Sequence, residues 1–330
     1  MAKHPLSIPK DANQDERDLI TTINRIDEWK GLDITYAPVP GGITNPNFKV
    51  TVDGKSFFVK IPGKGTEAFI DRDNCHQANE IAYEAEVGPK VCYYFEDTKV
   101  EIFEWLEGYR QMTWGDAYNK EIFLKSIDAI RKFNEYKNKK LPLVQTAFDQ
   151  TFHMMKMARE LNAFLPPEID RMEWLAHRIE DAILTGGIVY KPCHNDYWCN
   201  NIFFNEEKRD IKILDFEYAS MNDECFDMGI YSGMNYFTEE MDVVYIKRYY
   251  GGWNEEKFAR MKLYKIISDI KWSMWAVVQD KIATIKFDYM NWFGMKYSRL
   301  WSYMNDSRID YWINLVSKKT YFNEKEILKK

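Results

Sequence analysis

The sequence predicts an α+β fold of two lobes, a small β-rich N-terminal lobe (residues 1–106) and a larger helical C-terminal lobe (residues 107–330). Strand-like runs surround one helical segment between residues 34 and 103. After Gly108 the pattern becomes mostly helical, apart from one strand–turn–strand segment at 202–214. The chain has 330 residues, of which 45% are hydrophobic, and this is enough for two separate cores.

The clearest turn of the small lobe is Asp53-Gly54, because glycine adopts the positive φ that a tight hairpin requires. It separates two strand-like runs and therefore predicts a β-hairpin. The predicted elements of this lobe are a helix at 14–30, strands at 47–52 and 56–61, a helix at 71–86, and strands at 91–95 and 100–103.

The segment 193–217 carries the chemistry. Two short apolar runs, 202–204 and 211–214, are expected to pair as a hairpin around a polar turn. Asn201 precedes the first run and Asp215 follows the second, so an amide and a carboxylate are expected at the same end of the hairpin. Asp196 lies on the loop just before it. Phosphoryl transfer through Mg²⁺ needs oxygen ligands for the cation and a carboxylate that can take a proton. This segment supplies two such ligands beside such a carboxylate.

A second set of residues is predicted to bind a nucleotide. Paired glycines in VPGGITN (39–45) allow backbone N–H groups to approach phosphate oxygens, and Lys60 follows on the second strand of the same hairpin. Glu80 is expected to hold Lys60, with Glu84 as the next candidate. Backbone groups of the lobe junction, from Phe103 to Leu106, are expected at the edge of the adenine. The predicted nucleotide-binding residues are Gly41, Gly42, Asn45, Lys60, Glu80, Glu104 and Leu106.

The overall charge argues against several kinds of partner. A net charge of −6 and a pI near 5.6 disfavour nucleic acid or an anionic membrane as the main partner.

Five cysteines without a CxxC pair indicate reduced thiols, and we find no apolar run of signal-peptide or membrane-span length. We therefore expect a cytoplasmic protein with a small-molecule substrate. A homodimer is compatible with these features.

These motifs, taken in order, resemble the choline/ethanolamine kinase family, whose relatives include the aminoglycoside phosphotransferases. The resemblance spans roughly residues 38–300 and rests on GGITN, Lys60, HNDYWCNN and ILDFEYASMNDECFDMG. A further match is the tryptophan-rich segment 272–292. The resemblance implies a protein-kinase-like fold and the use of ATP and Mg²⁺. An ordinary protein kinase is disfavoured, because HND and DFE stand in place of HRD and DFG and an APE segment is missing.

The resemblance also implies roles for individual residues. Asp196 corresponds to the base that accepts the proton of the substrate hydroxyl. Asn201 and Asp215 correspond to Mg²⁺ ligands, and Lys60 to the residue that contacts the phosphates of ATP. Glu217 is expected to orient the loop or the substrate, with a structural role as the alternative. Where choline kinases carry an acidic residue near the substrate's cationic group, this chain has a methionine, Met234.

The tryptophan-rich segment predicts a pocket for a cation. At about 100° per residue, Ile270, Met274 and Val277 share one helical face, and Trp272 and Trp275 fall on the opposite face. The tryptophans pack against a further helix or form the wall of a box that binds a quaternary ammonium through ring faces. The predicted residues of this box are Trp272, Trp275, Tyr289 and Trp292.

The sequence thus favours an ATP-dependent kinase of a small cationic amino alcohol, with choline first and ethanolamine second. One alternative is another phosphotransferase of the same fold, acting on an aminoglycoside, thiamine or a sugar. The other is a catalytically idle nucleotide-binding protein, which the intact set of Asp196, Asn201, Asp215 and Lys60 disfavours.

Overall fold

The chain forms two compact units in a computed structural model that describes residues 6–40, 45–63, 65–66, 70–283 and 286–318. The first unit comprises Met1–Arg110 together with Phe203–Tyr218, and the second comprises Gln111–Ile202 and Ala219–Lys330. The α+β class is confirmed. The two units do not follow the predicted ranges 1–106 and 107–330, because the segment 203–218 groups with the first unit.

The first unit is built around a five-stranded antiparallel sheet of order β1-β2-β3-β5-β4. Its elements are α1 (Gln14–Ile23), β1 (Ile34–Pro38), β2 (Asn47–Val52), β3 (Lys55–Lys60), α2 (Arg72–Glu84), β4 (Val91–Phe95), β5 (Val100–Glu104) and β6 (Tyr109–Gln111). Later in the chain follow β8 (Ile202–Asn205) and β9 (Asp210–Ile213), which form a three-stranded sheet of order β6-β8-β9.

The predicted hairpin at Asp53-Gly54 is confirmed. Asp53 and Gly54 have φ of 46° and 82°, the left-handed values of a two-residue hairpin turn, and β2 pairs with β3 on either side. The helix predicted at 14–30 is shorter: α1 ends at Ile23, and a 3-10 turn at Asp27–Trp29 follows. This turn places Ile26 and Trp29 in the core of the unit.

The segment 203–218 joins the first unit through specific hydrogen bonds. The backbone N–H of Ile213 donates to the carbonyl of Val87 at 2.6 Å, and Lys212 Nζ donates to the carbonyl of Glu86 at 2.8 Å. The hydroxyl of Tyr109 donates to Asp210 at 2.5 Å. The predicted hairpin of the runs 202–204 and 211–214 is confirmed as β8 and β9.

The second unit is mostly helical. Its elements are α3 (Trp114–Ala117), α4 (Lys120–Asn134), α5 (Ala147–Glu160), α6 (Ile169–Gly186), β7 (Tyr190–Cys193), β10 (Ser220–Asp223), α7 (Glu224–Met234), α8 (Glu239–Tyr250), α9 (Glu255–Ile282), α10 (Tyr289–Met304) and α11 (Ile309–Ser317). The 28-residue α9 contacts α5, α7, α10 and α11. No helix in the described ranges is both long and apolar enough to cross a membrane.

A two-stranded antiparallel ribbon of β7 and β10 positions the loop that carries Asp196. Cys193, the last residue of β7, pairs with Ser220, the first residue of β10. The chain therefore leaves the ribbon at Cys193 into the loop at 194–201 and later passes from β10 directly into α7. This connection brings the first turn of α7 against the start of the loop.

Candidate active site

In the first unit, Glu217 is the centre of a cluster of charged and polar side chains. Its Oε1 atom lies 3.0 Å from Lys60 Nζ, accepts a hydrogen bond from Asn45 Nδ2 at 2.6 Å, and pairs with Arg72. Lys60 also donates to Asp215 Oδ1 at 2.6 Å. We call Lys60, Arg72, Asp215, Glu217 and Asn45 the charge cluster.

The protonation of this cluster is set by its ion pairs. Burial alone would lower the pKa of Lys60, but the negative charges of Asp215 and Glu217 outweigh it, so the pKa is raised. Burial alone would raise the pKa of Glu217, but Lys60 and Arg72 lower it to about 2. Lys60 is thus held as an ammonium and Glu217 as a carboxylate.

Two strands and a helix terminus bring the charge cluster together. Lys60 ends β3, where it pairs in register with Glu101 of β5, and Arg72 begins α2. Asp215 and Glu217 follow β9. Asp215 has φ of 69°, a left-handed value that is uncommon outside glycine and typical of turns and functional sites.

The remaining predicted nucleotide-binding residues lie in several places. Gly41 and Gly42 lie outside the described residues. On α2, Glu80 Oε1 lies 3.8 Å from His76 Nε2. The pairing of Glu80 with Lys60 stays a prediction. Glu104 ends β5, where its backbone N–H donates to the carbonyl of Lys90, and the carbonyl of Leu106 accepts from Tyr109.

In the second unit, Asp196 and Asn201 are held side by side. Asn201 Nδ2 donates to the backbone carbonyl of Asp196 at 2.9 Å and to Asp196 Oδ2 at 3.1 Å. The backbone N–H of Asp196 donates to His194 Nδ1 at 3.2 Å, and the His194 ring stacks on Tyr197. Because its amide nitrogen faces Asp196, Asn201 presents its amide oxygen as the atom that a hard cation would take.

Asp227 braces this loop from α7. Its carboxylate accepts the backbone N–H groups of His194 and Asn195 at 3.0 and 2.7 Å, and Asn134 Nδ2 at 2.8 Å. Asn195 adopts a left-handed φ of 62°, which turns both N–H groups toward one carboxylate. Burial raises the pKa of Asp227 to about 6, although these hydrogen bonds act in the opposite direction.

The predicted box residues lie in one continuous group of rings. Ring centroids lie 5.6 Å apart for Trp272 and Trp275, 5.9 Å for Trp275 and Tyr289, and 5.1 Å for Trp292 and Trp198. Phe287 contacts both Tyr289 and Trp292. We call Trp198, Trp272, Trp275, Phe287, Tyr289 and Trp292 the aromatic cluster.

The helical face predicted for Trp272 and Trp275 is corrected by the structure. From Phe258 to Gln279, every residue of α9 except the half-buried Lys262 is buried, including both tryptophans at 3% exposure. Because α9 is surrounded by other helices, a one-sided pattern does not describe it.

Two buried lysines face rings of this cluster. Lys271 Nζ lies 4.3 Å from the Trp272 ring centroid and donates to Gln150 and to the carbonyl of Asn195. Lys296 Nζ lies 4.1 Å from the ring centroid of Trp292. Burial lowers the pKa of each lysine to about 7.

The comparison with known families identifies the chain. The family model described as choline/ethanolamine kinase matches residues 36–257, which is more than half of the sequence. The chain belongs to the choline/ethanolamine kinase family. It is therefore a small-molecule kinase with a protein-kinase-like fold, as the sequence predicts, and this membership implies the use of ATP.

Individual members of the choline/ethanolamine kinase family are distant from the chain. Ethanolamine kinase 2 of Rattus norvegicus is 22% identical over 303 residues, covering 82% of this chain and 76% of the relative. Probable choline kinase 2 of Arabidopsis thaliana is 23% identical over 301 residues, covering 80% and 84%. The crystal structure of a choline/ethanolamine kinase family protein from Mesorhizobium loti has a TM-score of 0.79 at 22% identity, covering 93% of this chain and all of that one.

Several residues of these sites were missed at the level of sequence. Arg72 could have been suspected, because a cation in the first turn of a helix opposes the helix dipole and needs an anionic partner. Trp198 lies inside the HNDYWCNN motif, two residues after Asp196. Nothing local in the sequence marks Lys296, whose surroundings arise only from tertiary packing.

Proposed function

We propose that the chain transfers the γ-phosphoryl group of ATP to the hydroxyl of a small amino alcohol, ethanolamine or choline, with Asp196 as the general base. The observation that carries this proposal is the hydrogen-bonded pair of Asp196 and Asn201. A half-buried carboxylate with a fixed orientation can accept the proton of an attacking hydroxyl. Family membership supplies the donor and the reaction type.

The ligands proposed for Mg²⁺ are the amide oxygen of Asn201 and the carboxylate of Asp215. These donors fit the ion, because Mg²⁺ prefers carboxylate and other oxygen ligands. When bound, Mg²⁺ neutralises charge on the transferring phosphoryl group. Lys60, which Asp215 and Glu217 keep protonated, is proposed to contact the phosphates of ATP.

The aromatic cluster is the proposed site for the amino group of the acceptor. Trp198 follows Asp196 by two residues and its ring contacts Trp292, so the cluster borders the loop that carries the base. Trp292 is half-buried, and its ring therefore remains partly accessible to a ligand. Ring faces attract ammonium groups, by up to about 2 kcal/mol when both are desolvated.

The test is a coupled assay of ADP release with four acceptors: ethanolamine, choline, thiamine and kanamycin. We expect the highest kcat/KM with one of the two amino alcohols. A preference for thiamine or kanamycin would assign the chain to another acceptor class. Nucleotide binding without acceptor-dependent ADP release would instead indicate an idle protein.

A further inference from the structure

Lys296 places a cation inside the proposed acceptor site. This lysine of α10 has 0% exposure, and its Nζ lies 4.1 Å from the ring centroid of Trp292 and 2.8 Å from the Sδ atom of Met234. In the part of the chain that the structure describes, no carboxylate oxygen lies within ion-pair distance of Nζ. A thioether is a weak hydrogen-bond acceptor, so the surroundings of this buried nitrogen are a sulfur atom and a ring face.

Other buried cations of the second unit have stronger partners. Lys265 Nζ lies 3.0 Å from Asp242, and Lys271 donates to two oxygen atoms. Asp269 lies close enough to affect Lys296, but Arg299 takes both of its carboxylate oxygens. Lys296 therefore stands out as a buried amine directed at an aromatic ring of the proposed pocket.

We propose that Lys296 determines acceptor specificity: by occupying the ring face of Trp292, it makes the pocket prefer ethanolamine, a primary amine, to choline, a quaternary one. The inference rests on the proposed function, in which the aromatic cluster receives the amino group of the acceptor. The proposed preference for ethanolamine reverses the order expected from ring faces alone, which favour choline.

The physical reason is the difference in hydrogen bonding between the two acceptors. A protonated Lys296 repels either cation, so binding favours the neutral form of the lysine. Lys296 reaches this form by releasing a proton to solvent. The neutral nitrogen has a lone pair that accepts an N–H of ethanolamine. Choline has no N–H to donate and also needs the ring face that Lys296 covers.

The charged and titratable groups around Lys296 make its neutral form accessible. Burial lowers its pKa to about 7, and the nearby guanidinium of Arg299 acts in the same direction. Asp269, Asp196 and Cys199 act in the opposite direction. Loss of the proton is thus expected near neutral pH, where the reaction is measured.

The experiment compares the wild-type enzyme with Lys296→Met, which removes the charge at similar size, and Lys296→Arg, which keeps it permanently. An exposed lysine, Lys247→Met, is the matched control. Readouts are kcat/KM for both acceptors between pH 6 and 8, and binding of choline by calorimetry. Lys296→Gln replaces Lys296→Met if a melting curve shows that the methionine variant is unfolded.

We expect the wild type to prefer ethanolamine, and Lys296→Met to shift the ratio toward choline by at least about tenfold, the scale of one cation–π contact. The KM for choline should fall as pH rises through 7 in the wild type and stay flat in Lys296→Met. Lys296→Arg should weaken the binding of both acceptors, and Lys247→Met should leave the binding of both unchanged.

An unchanged ratio in Lys296→Met, or a wild type that prefers choline, would overturn the role of Lys296. If the wild type phosphorylates neither acceptor, the proposed function fails, and calorimetry still decides the inference. Tighter choline binding by Lys296→Met than by the wild type supports it, and equal binding overturns it.

Discussion

A half-buried lysine of the first unit and a buried lysine of the second show how the same side chain acquires opposite properties. Lys60 lies in the charge cluster between Asp215 and Glu217, and its pKa is raised. Lys296 lies against Trp292 and Met234, and its pKa is lowered to about 7. Desolvation acts on both in the same direction, so the difference comes from the carboxylates.

This difference separates two kinds of site. The charge cluster holds fixed charges, because Lys60, Arg72 and Glu217 stabilise one another's ionised forms. Lys271 and Lys296, which face rings of the aromatic cluster, have pKa values lowered to about 7, so their charge can change near neutral pH. A fixed ammonium suits contact with phosphate oxygens, whereas a titratable amine suits discrimination between acceptors that differ in N–H groups.

The largest effect is expected from removing a ring of the aromatic cluster. Trp275 is 3% exposed and contacts Trp272 and Tyr289, so Trp275→Ala should lower the free energy of unfolding by about 3–5 kcal/mol and raise both acceptor KM values alike. Trp301→Ala, at an exposed tryptophan, should change stability by about 0.5 kcal/mol or less. Denaturant titration measures both. An increase confined to the KM for choline, at unchanged stability, would mean that this ring serves binding alone.

Removing the charge of Glu217 should have the next largest effect. Glu217→Gln leaves Lys60 and Arg72 without their shared carboxylate, so unfolding free energy at pH 7 should fall by about 3 kcal/mol and the KM for ATP should rise. The pKa of Glu217 is lowered to about 2, below the value near 4.3 of an unfolded chain. Its stabilisation is therefore present above about pH 4.3 and lost as pH falls toward 2.

The matched control for this variant is Glu80→Gln on α2. If Glu217 rather than Glu80 holds Lys60, the control should leave the KM for ATP unchanged and alter stability by about 0.5 kcal/mol or less. A larger effect of Glu80→Gln on the KM for ATP would support the pairing of Glu80 with Lys60 that the sequence predicts.

A smaller effect is expected at Asp227. In Asp227→Asn an amide nitrogen can face the N–H groups that donate to Asp227 in the wild type. The free energy of unfolding should therefore fall by about 2 kcal/mol at pH 7. In the wild type the pKa is raised to about 6 from about 3.9, so the folded state binds the proton more tightly. Stability from this group is therefore full below about pH 4 and falls as pH rises to 6. Denaturation between pH 4 and 7 should show this slope in the wild type and lose it in the variant.

The elements with strong local signals were predictable from the sequence. Asp53-Gly54 fixed the β2–β3 hairpin through the conformations that those two residues adopt, and the runs at 202–204 and 211–214 became β8 and β9. The segment with Asp196 and Asn201 was recognisable because these two residues lie within six positions of each other in the sequence. Its bracing by Asp227 was not, since that contact spans more than thirty residues.

The remaining parts depend on packing that no local pattern carries. Lys60 meets Glu217 because the segment 203–218 returns to the first unit, a connection that composition does not reveal. The face of α9 was mispredicted because helices surround it, and a helix that is buried on all sides loses its amphipathic pattern.

The measurement that tests the central claim most directly is the turnover of Asp196→Asn. The amide keeps an oxygen for the hydrogen bond from Asn201 but cannot accept the proton of the acceptor. We predict a folded protein with wild-type melting temperature and ATP binding, and a loss of at least about 10²-fold in kcat, while Asp310→Asn on the surface stays fully active. Near-wild-type turnover of Asp196→Asn would contradict the assignment of the base and with it the account of this site.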